Sequence, residues 1–249
     1  MKRALALLVA LLVAALASPS MAAMGFSNVR DPRTNVPAIP AYTNECWVHG
    51  SATATCRAQA LAAVNRARAL EHVRPMVLPR GFWTLSGTKQ IFIVTDLERV
   101  ARGLPPFIGL TSQLDSWALS ASRRNQDPSV ASWQLANGVA AHNDGSIWAA
   151  DYNILDADYG WMYDDGWAGA GNFTRNLACP TPNAYGCWGH REIILGRYTG
   201  GSLLLAGTGS VPNNYAHIFR SDSELFVAAT GKVPPLAYTW KQAVAAGAH

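Results

Sequence analysis

Charge is scarce in this sequence. Only 14% of its 249 residues are Asp, Glu, Lys or Arg. No run of Lys and Arg interleaved with aromatic side chains occurs. The electrostatic footprint of a nucleic-acid-binding protein is therefore missing. Cysteine is scarcer still, with four residues: Cys46, Cys56, Cys179 and Cys187. None are spaced as Cys-x-x-Cys, so a structural zinc site loses its main support. Gly-x-Ser-x-Gly, His-Glu-x-x-His and a phosphate-cradling glycine loop are also missing, and each would mark a particular chemistry. After the N-terminal segment no apolar run is long enough to span a bilayer.

What is present begins at the N-terminus. Lys2 and Arg3 precede an apolar run from Ala4 to Ala17, which Ser18, Pro19 and Ser20 break. Ser20-Met21-Ala22 then offers a small-x-small cleavage site. This is the three-part pattern of a secretory signal peptide, so residues 1–22 read as a leader and the protein as secreted and extracellular. The run is too short to be a membrane anchor. Removing Lys2 and Arg3 lowers the formal charge from +4 to +2, so the basic balance says little about partners. In an oxidising compartment the cysteines pair, and three connectivities are open. The two pairs are close in sequence and far from each other, which favours Cys46–Cys56 and Cys179–Cys187. A chain that is 49% hydrophobic with nine Trp can bury a sizeable core.

Residues 23–45 are rich in Pro, Asn and Thr and read as an extended arm. Arg57 to His72 reads as a helix, with Leu61, Val64, Ala67 and Leu70 on one stripe. Thr88 to Arg102 reads as a second. Gly103 stands where a C-terminal glycine belongs, and Pro105-Pro106 follow. A third starts at Thr111 or Ser112 and stops at Asp127-Pro128. A fourth covers Ala149 to Asp164, and His190 to Leu195 makes a short helical turn. Ser202–Ala206, Tyr215–Phe219 and Leu225–Ala229 read as strands. Helices followed by strands predict an α+β fold with an antiparallel sheet.

Three stretches, in this order, carry a family resemblance. They are Asp96-Leu97-Glu98-Arg99-Val100-Ala101-Arg102-Gly103-Leu104-Pro105-Pro106, then Trp161-Met162-Tyr163-Asp164-Asp165, then Gly186-Cys187-Trp188-Gly189-His190-Arg191-Glu192-Ile193-Ile194-Leu195. Together they resemble the bacterial branch of the CAP superfamily (cysteine-rich secretory, antigen 5 and pathogenesis-related-1 proteins), also called SCP-like extracellular proteins. The resemblance implies a three-layer α-β-α sandwich with a central antiparallel sheet. It divides the chain into a leader (1–22), an arm with the first disulfide (23–56), a helix and connector (57–84), a CAP-like domain (85–232) and a C-terminal tail (233–249).

It also implies a cleft lined by two His and two acidic residues, which in some members binds a divalent metal. His190 matches the His of the family's Gly-His-Arg segment, and Asp164 takes the place of its acidic helix residue, with Asp165 beside it. Ser146 stands where a second acid is expected, and His142 is the approximate match for the second His. Two imidazoles and two carboxylates suit zinc. With one carboxylate replaced, His190 and Asp164 are the ligands that remain for such an ion, and no other cofactor is implied.

Trp148, Trp161, Trp167 and Trp188 fit either a sugar-stacking platform or core packing. Arg191 is expected to pair with a carboxylate. Asp144-Gly145-Ser146 with His190 would make a Ser/His hydrolase only through three coincidences of geometry. The function that follows is a non-enzymatic secreted protein that binds a cell-envelope component or a small ligand. A hydrolase of peptide or cell-wall polymer working through His190 and Asp164 is the alternative.

Overall fold

A computed structural model of the chain describes residues 42–166, 181, 184 and 187–249. The leader, most of the arm, Trp167, Cys179 and hence the Cys179–Cys187 pairing lie outside the described residues. The Cys46–Cys56 disulfide is formed. It joins α1 (Tyr42–His49) to the first turn of α2 (Ala54–Leu70). Arm residues 42–45 are thus helical and not extended.

Helix boundaries follow from capping side chains, which satisfy N–H groups that have no partner within the helix. Thr53 accepts from Cys56 N–H to start α2. Ser86 caps α3 (Gly87–Ala101), and Thr111 caps α4 (Ser112–Arg124). Asn153 accepts from Leu155 and Asp156 N–H to start α5 (Ile154–Tyr163). That start is five residues later than the sequence pattern places it, because β3 (Val139–Asp151) runs on through Ala149. A short α6 (Gly189–Ile194) carries the Gly-His-Arg segment.

The fold is α+β. Six strands form one curled sheet, a half-barrel, in the order β2-β3-β5-β4-β1-β6. The remaining strands are β1 (Gly109–Leu110), β2 (Gln134–Leu135), β4 (Leu203–Tyr215), β5 (Phe219–Thr230) and β6 (Tyr238–Thr239). The central β3, β5 and β4 are antiparallel, as expected. The sheet as a whole is mixed, because β1 pairs parallel to β4 and β6 adds antiparallel to β1. These two-residue strands are too short to show alternation in the sequence. The stretch Tyr215–Phe219, expected as a strand, is the β4–β5 turn, where Ile218 N–H donates to Tyr215 O.

Side chains of β5 alternate between two apolar clusters. Leu225, Val227 and Ala229 pack with Leu114 of α4 and Leu205. Phe226 joins Ile147, Ala206 and the apolar faces of α2, α3 and α5. Helix α4 lies so close to β4 that a Cβ on Gly207 would sit 2.2 Å from Leu114, and one on Gly209 2.4 Å from Ala118. The C-terminal segment belongs to the same body: β6 is a sheet strand, Ala243 of α7 (Trp240–Ala245) is buried, and Val77 N–H donates to His249 O.

Candidate functional site

Buried arginines bring the three motif stretches together. Arg99 of α3 is fully buried, and its Nη1 donates to Ile194 O and Gly196 O at the end of α6. Its Nε donates to Pro105 O, and Asp96 accepts from Phe107 N–H, which ties the Leu-Pro-Pro segment down. Arg191 of α6 donates to Met162 O in α5 and pairs with Glu71 at 2.7 Å. The carboxylate partner expected for Arg191 is therefore Glu71, at the C-cap of α2. Glu98 binds Arg68 at 3.0 Å, pairs with Arg102, and accepts from Tyr163 Oη. Among these buried groups Arg68, Glu98, Arg102, Glu71 and Arg191 are ion-paired, whereas Arg99 is held by backbone carbonyls and burial pushes the Asp96 carboxyl toward its neutral form.

This scaffold holds His190 in the first turn of α6. Asp165 accepts both from His190 N–H, at 2.7 Å through Oδ2, and from the ring at Nδ1, at 2.9 Å through Oδ1. A carboxylate only accepts, so the proton sits on Nδ1 and Nε2 is left as the ring's outward atom. Asp165 is 3% exposed and the His190 side chain 33%. Burial opposes charge on the imidazole. The hydrogen bond and charge of Asp165, with the charge of Asp127, outweigh it and raise the His190 pKa above its ordinary value.

Asp127 comes from the segment after α4. Burial raises its pKa, while His190 and a hydrogen bond from Trp148 N–H lower it. Trp148 lies on the stretch of β3 that pairs with β5 on one side and, among the described residues, with no strand on the other. Trp161 Nε1 donates to its carbonyl at 3.2 Å, and the Asp127 carboxyl lies near its N–H. The indole N–H of Trp161 thus satisfies the carbonyl at that edge. The site is thus an edge-strand backbone with Asp127 and an Asp165-held imidazole beside it.

The sequence-derived candidates separate. His190 and Asp165 are in direct contact. Asp164 is the C-cap of α5 and 1% exposed, and the carboxylate that holds His190 is its neighbour's. Ser146 pairs in register with Leu225 and makes no hydrogen bond with His190. It shares that residue's face, whereas Gly145 faces Tyr198 and Ile193 behind α6. His142 sits at the β3 bulge with Nε2 against Thr230 Oγ1 at 2.8 Å. At ~3.3 Å per residue that is roughly 20 Å along the strand from Trp148. Trp161 and Trp188 are core residues, 3% and 0% exposed. Asp127 is absent from the sequence-derived set, since Asp-Pro after a helix reads simply as a stop. Among the described residues no group of three His, Cys, Asp or Glu side chains is arranged to hold a metal ion. None of the described helices is long and apolar enough to cross a membrane.

No protein-family model matches the chain, and no curated protein or solved structure matches it.

Proposed function

We propose that the chain is a secreted CAP-like protein that binds a cell-envelope component at the His190–Asp165–Asp127 edge without turning it over. The observation that carries this reading is the convergence of the three motif stretches. Arg99 of the first holds the carbonyls that end the third, and Arg191 of the third holds Met162 O of the second. Residues far apart in the sequence thus serve to position His190. The α-β-α layering of that family is part of the same reading, supported by apolar clusters on alternating positions of β5. The Cys46–Cys56 disulfide fits an oxidising compartment.

The chemistry favours binding. Asp165 on the ring and the charge of Asp127 favour the protonated imidazole, a hydrogen-bond donor, over the free base. A second reading, a hydrolase of peptide or cell-wall polymer, draws on the same contact, because a carboxylate on Nδ1 is how a general base is oriented. Co-sedimentation of the purified secreted form with peptidoglycan sacculi separates the two. Binding predicts saturable retention, no soluble fragments, and weaker retention of His190→Ala. Fragment release that His190→Ala abolishes establishes the hydrolase instead, and absence of both retention and release defeats both readings.

A further inference from the structure

Four aromatic rings run away from this site along the end of the sheet. Trp148 and Tyr215 have ring centroids 5.7 Å apart, Tyr215 and Phe219 6.4 Å, and Phe219 and Tyr152 4.9 Å. Trp148, Tyr215 and Phe219 belong to neither apolar cluster of the core. Tyr215 is 44% exposed. Trp148 gives its indole N–H to Ser221 Oγ at 2.8 Å, which fixes the ring and leaves its remaining surface as what it offers.

The turn that presents the rings is strained. Ala216 and His217, its two central residues, have φ of 48° and 62°, and Asn213 has φ of 52°. The loop between the paired Tyr215 and Phe219 is three residues long, and tight turns with positive φ at two successive positions prefer Asn and Gly there. Ala in the left-handed region carries a cost that Gly avoids. Strain of this kind persists where the surroundings impose it, and it collects at ligand sites. Here the surroundings are Asn214, whose side chain donates to Ser122 O and Arg123 O at the end of α4, and Ser221, which donates to Ser122 O. The ring-bearing tip is thus bolted to the body of the fold.

We propose that Trp148, Tyr215, Phe219 and Tyr152 form a ridge that binds a neutral β-linked sugar strand. Rings stack on the apolar faces of pyranoses, while sugar edges need polar partners. This inference names the ligand class for the binding reading above and rests on it for the cellular source.

Titration of the secreted protein with chitohexaose, followed by tryptophan fluorescence and calorimetry, tests it. Saturable binding is expected. Tyr215→Ala lowers the affinity at least tenfold, and Tyr215→Phe, which keeps the ring, stays within about twofold. Trp148→Ala also loses binding, with circular dichroism as the check on its folding. No binding of chitohexaose, or equal binding by Tyr215→Ala, overturns the ridge even where sacculi are still retained. Binding of chitohexaose without retention on sacculi leaves the ridge standing and removes the envelope reading.

Discussion

Arg68→Met is a direct probe of how the site is braced. Arg68 is fully buried on α2, its Nε donates to Arg74 O at 2.9 Å, and it meets Glu98 of α3 at 3.0 Å. Met keeps much of the volume and removes the charge. The buried Glu98 carboxylate then keeps only Arg102 and Tyr163. Breaking a buried pair from one side costs about 3–5 kcal/mol. In a domain of this size each kcal/mol moves Tm by about 2–4 °C, so the drop is roughly 6–20 °C. Differential scanning calorimetry at pH 7 reads it. The pH dependence adds a signature. Burial pushes the Glu98 pKa up, but Arg68, Arg102 and the Tyr163 hydroxyl bring it from 4.5 down to about 2. A lowered carboxyl pKa stabilises the fold above the unfolded value and is lost as pH falls through the folded one. Removing Arg68 raises the folded value, so acid unfolding of the variant begins at higher pH. Adding Glu98→Gln recovers part of the loss, since the stranded charge is gone. A Tm drop under about 2 °C, with an unchanged acid limb, would refute the bracing argument.

Other consequences are as direct. Asp165→Asn removes the charge that raises His190, so the His190 pKa falls, which proton NMR of the ring reads. Because the wild-type value is raised, the stabilisation from His190 is full below its unfolded pKa and fades as pH rises through the folded one. The variant loses that dependence, and an unchanged His190 titration contradicts the assigned contact. Reducing Cys46–Cys56, which closes a loop with a sequence separation of 10, costs somewhat under about 3 kcal/mol by the chain-entropy model. Thermal melts with and without reductant should differ by roughly 5–10 °C. Gly166→Ala would place a Cβ 2.1 Å from the Trp188 ring, which is fully buried. Overpacking of about 1–3 kcal/mol or more is expected there, with a lower Tm and a disturbed His190 signal. A variant as stable as the wild type would show that the Trp188 ring moves freely.

Local signals made much of the helical frame legible. The Thr88–Arg102 stripe with Gly103 and Pro105-Pro106 locates α3 to within a residue at each end. Thr111 is the cap its position suggests. Non-local geometry hid the rest. Strands β1 and β6 exist through pairing with β4 and with each other, not through their own pattern. The Tyr215–Phe219 turn passes for a strand because it uses Ala216 and His217, not Gly or Asn, at positive φ. His190 is legible from its motif. Its partner falls on Asp165, one position past the expected Asp164, because α5 ends at Tyr163 and the chain turns there. Asp127 becomes a site residue only because the fold brings the segment after α4 near His190 and β3.

One titration tests the central claim most directly. Soluble glycan strands released from sacculi are added to the secreted protein, and proton NMR follows the His190 ring and the anomeric region of the sugar in the same tube. The His190 signal is expected to move to saturation while the anomeric signals show no new reducing ends over hours. A motionless His190 signal, or reducing ends that accumulate with the wild type and not with His190→Ala, would contradict it.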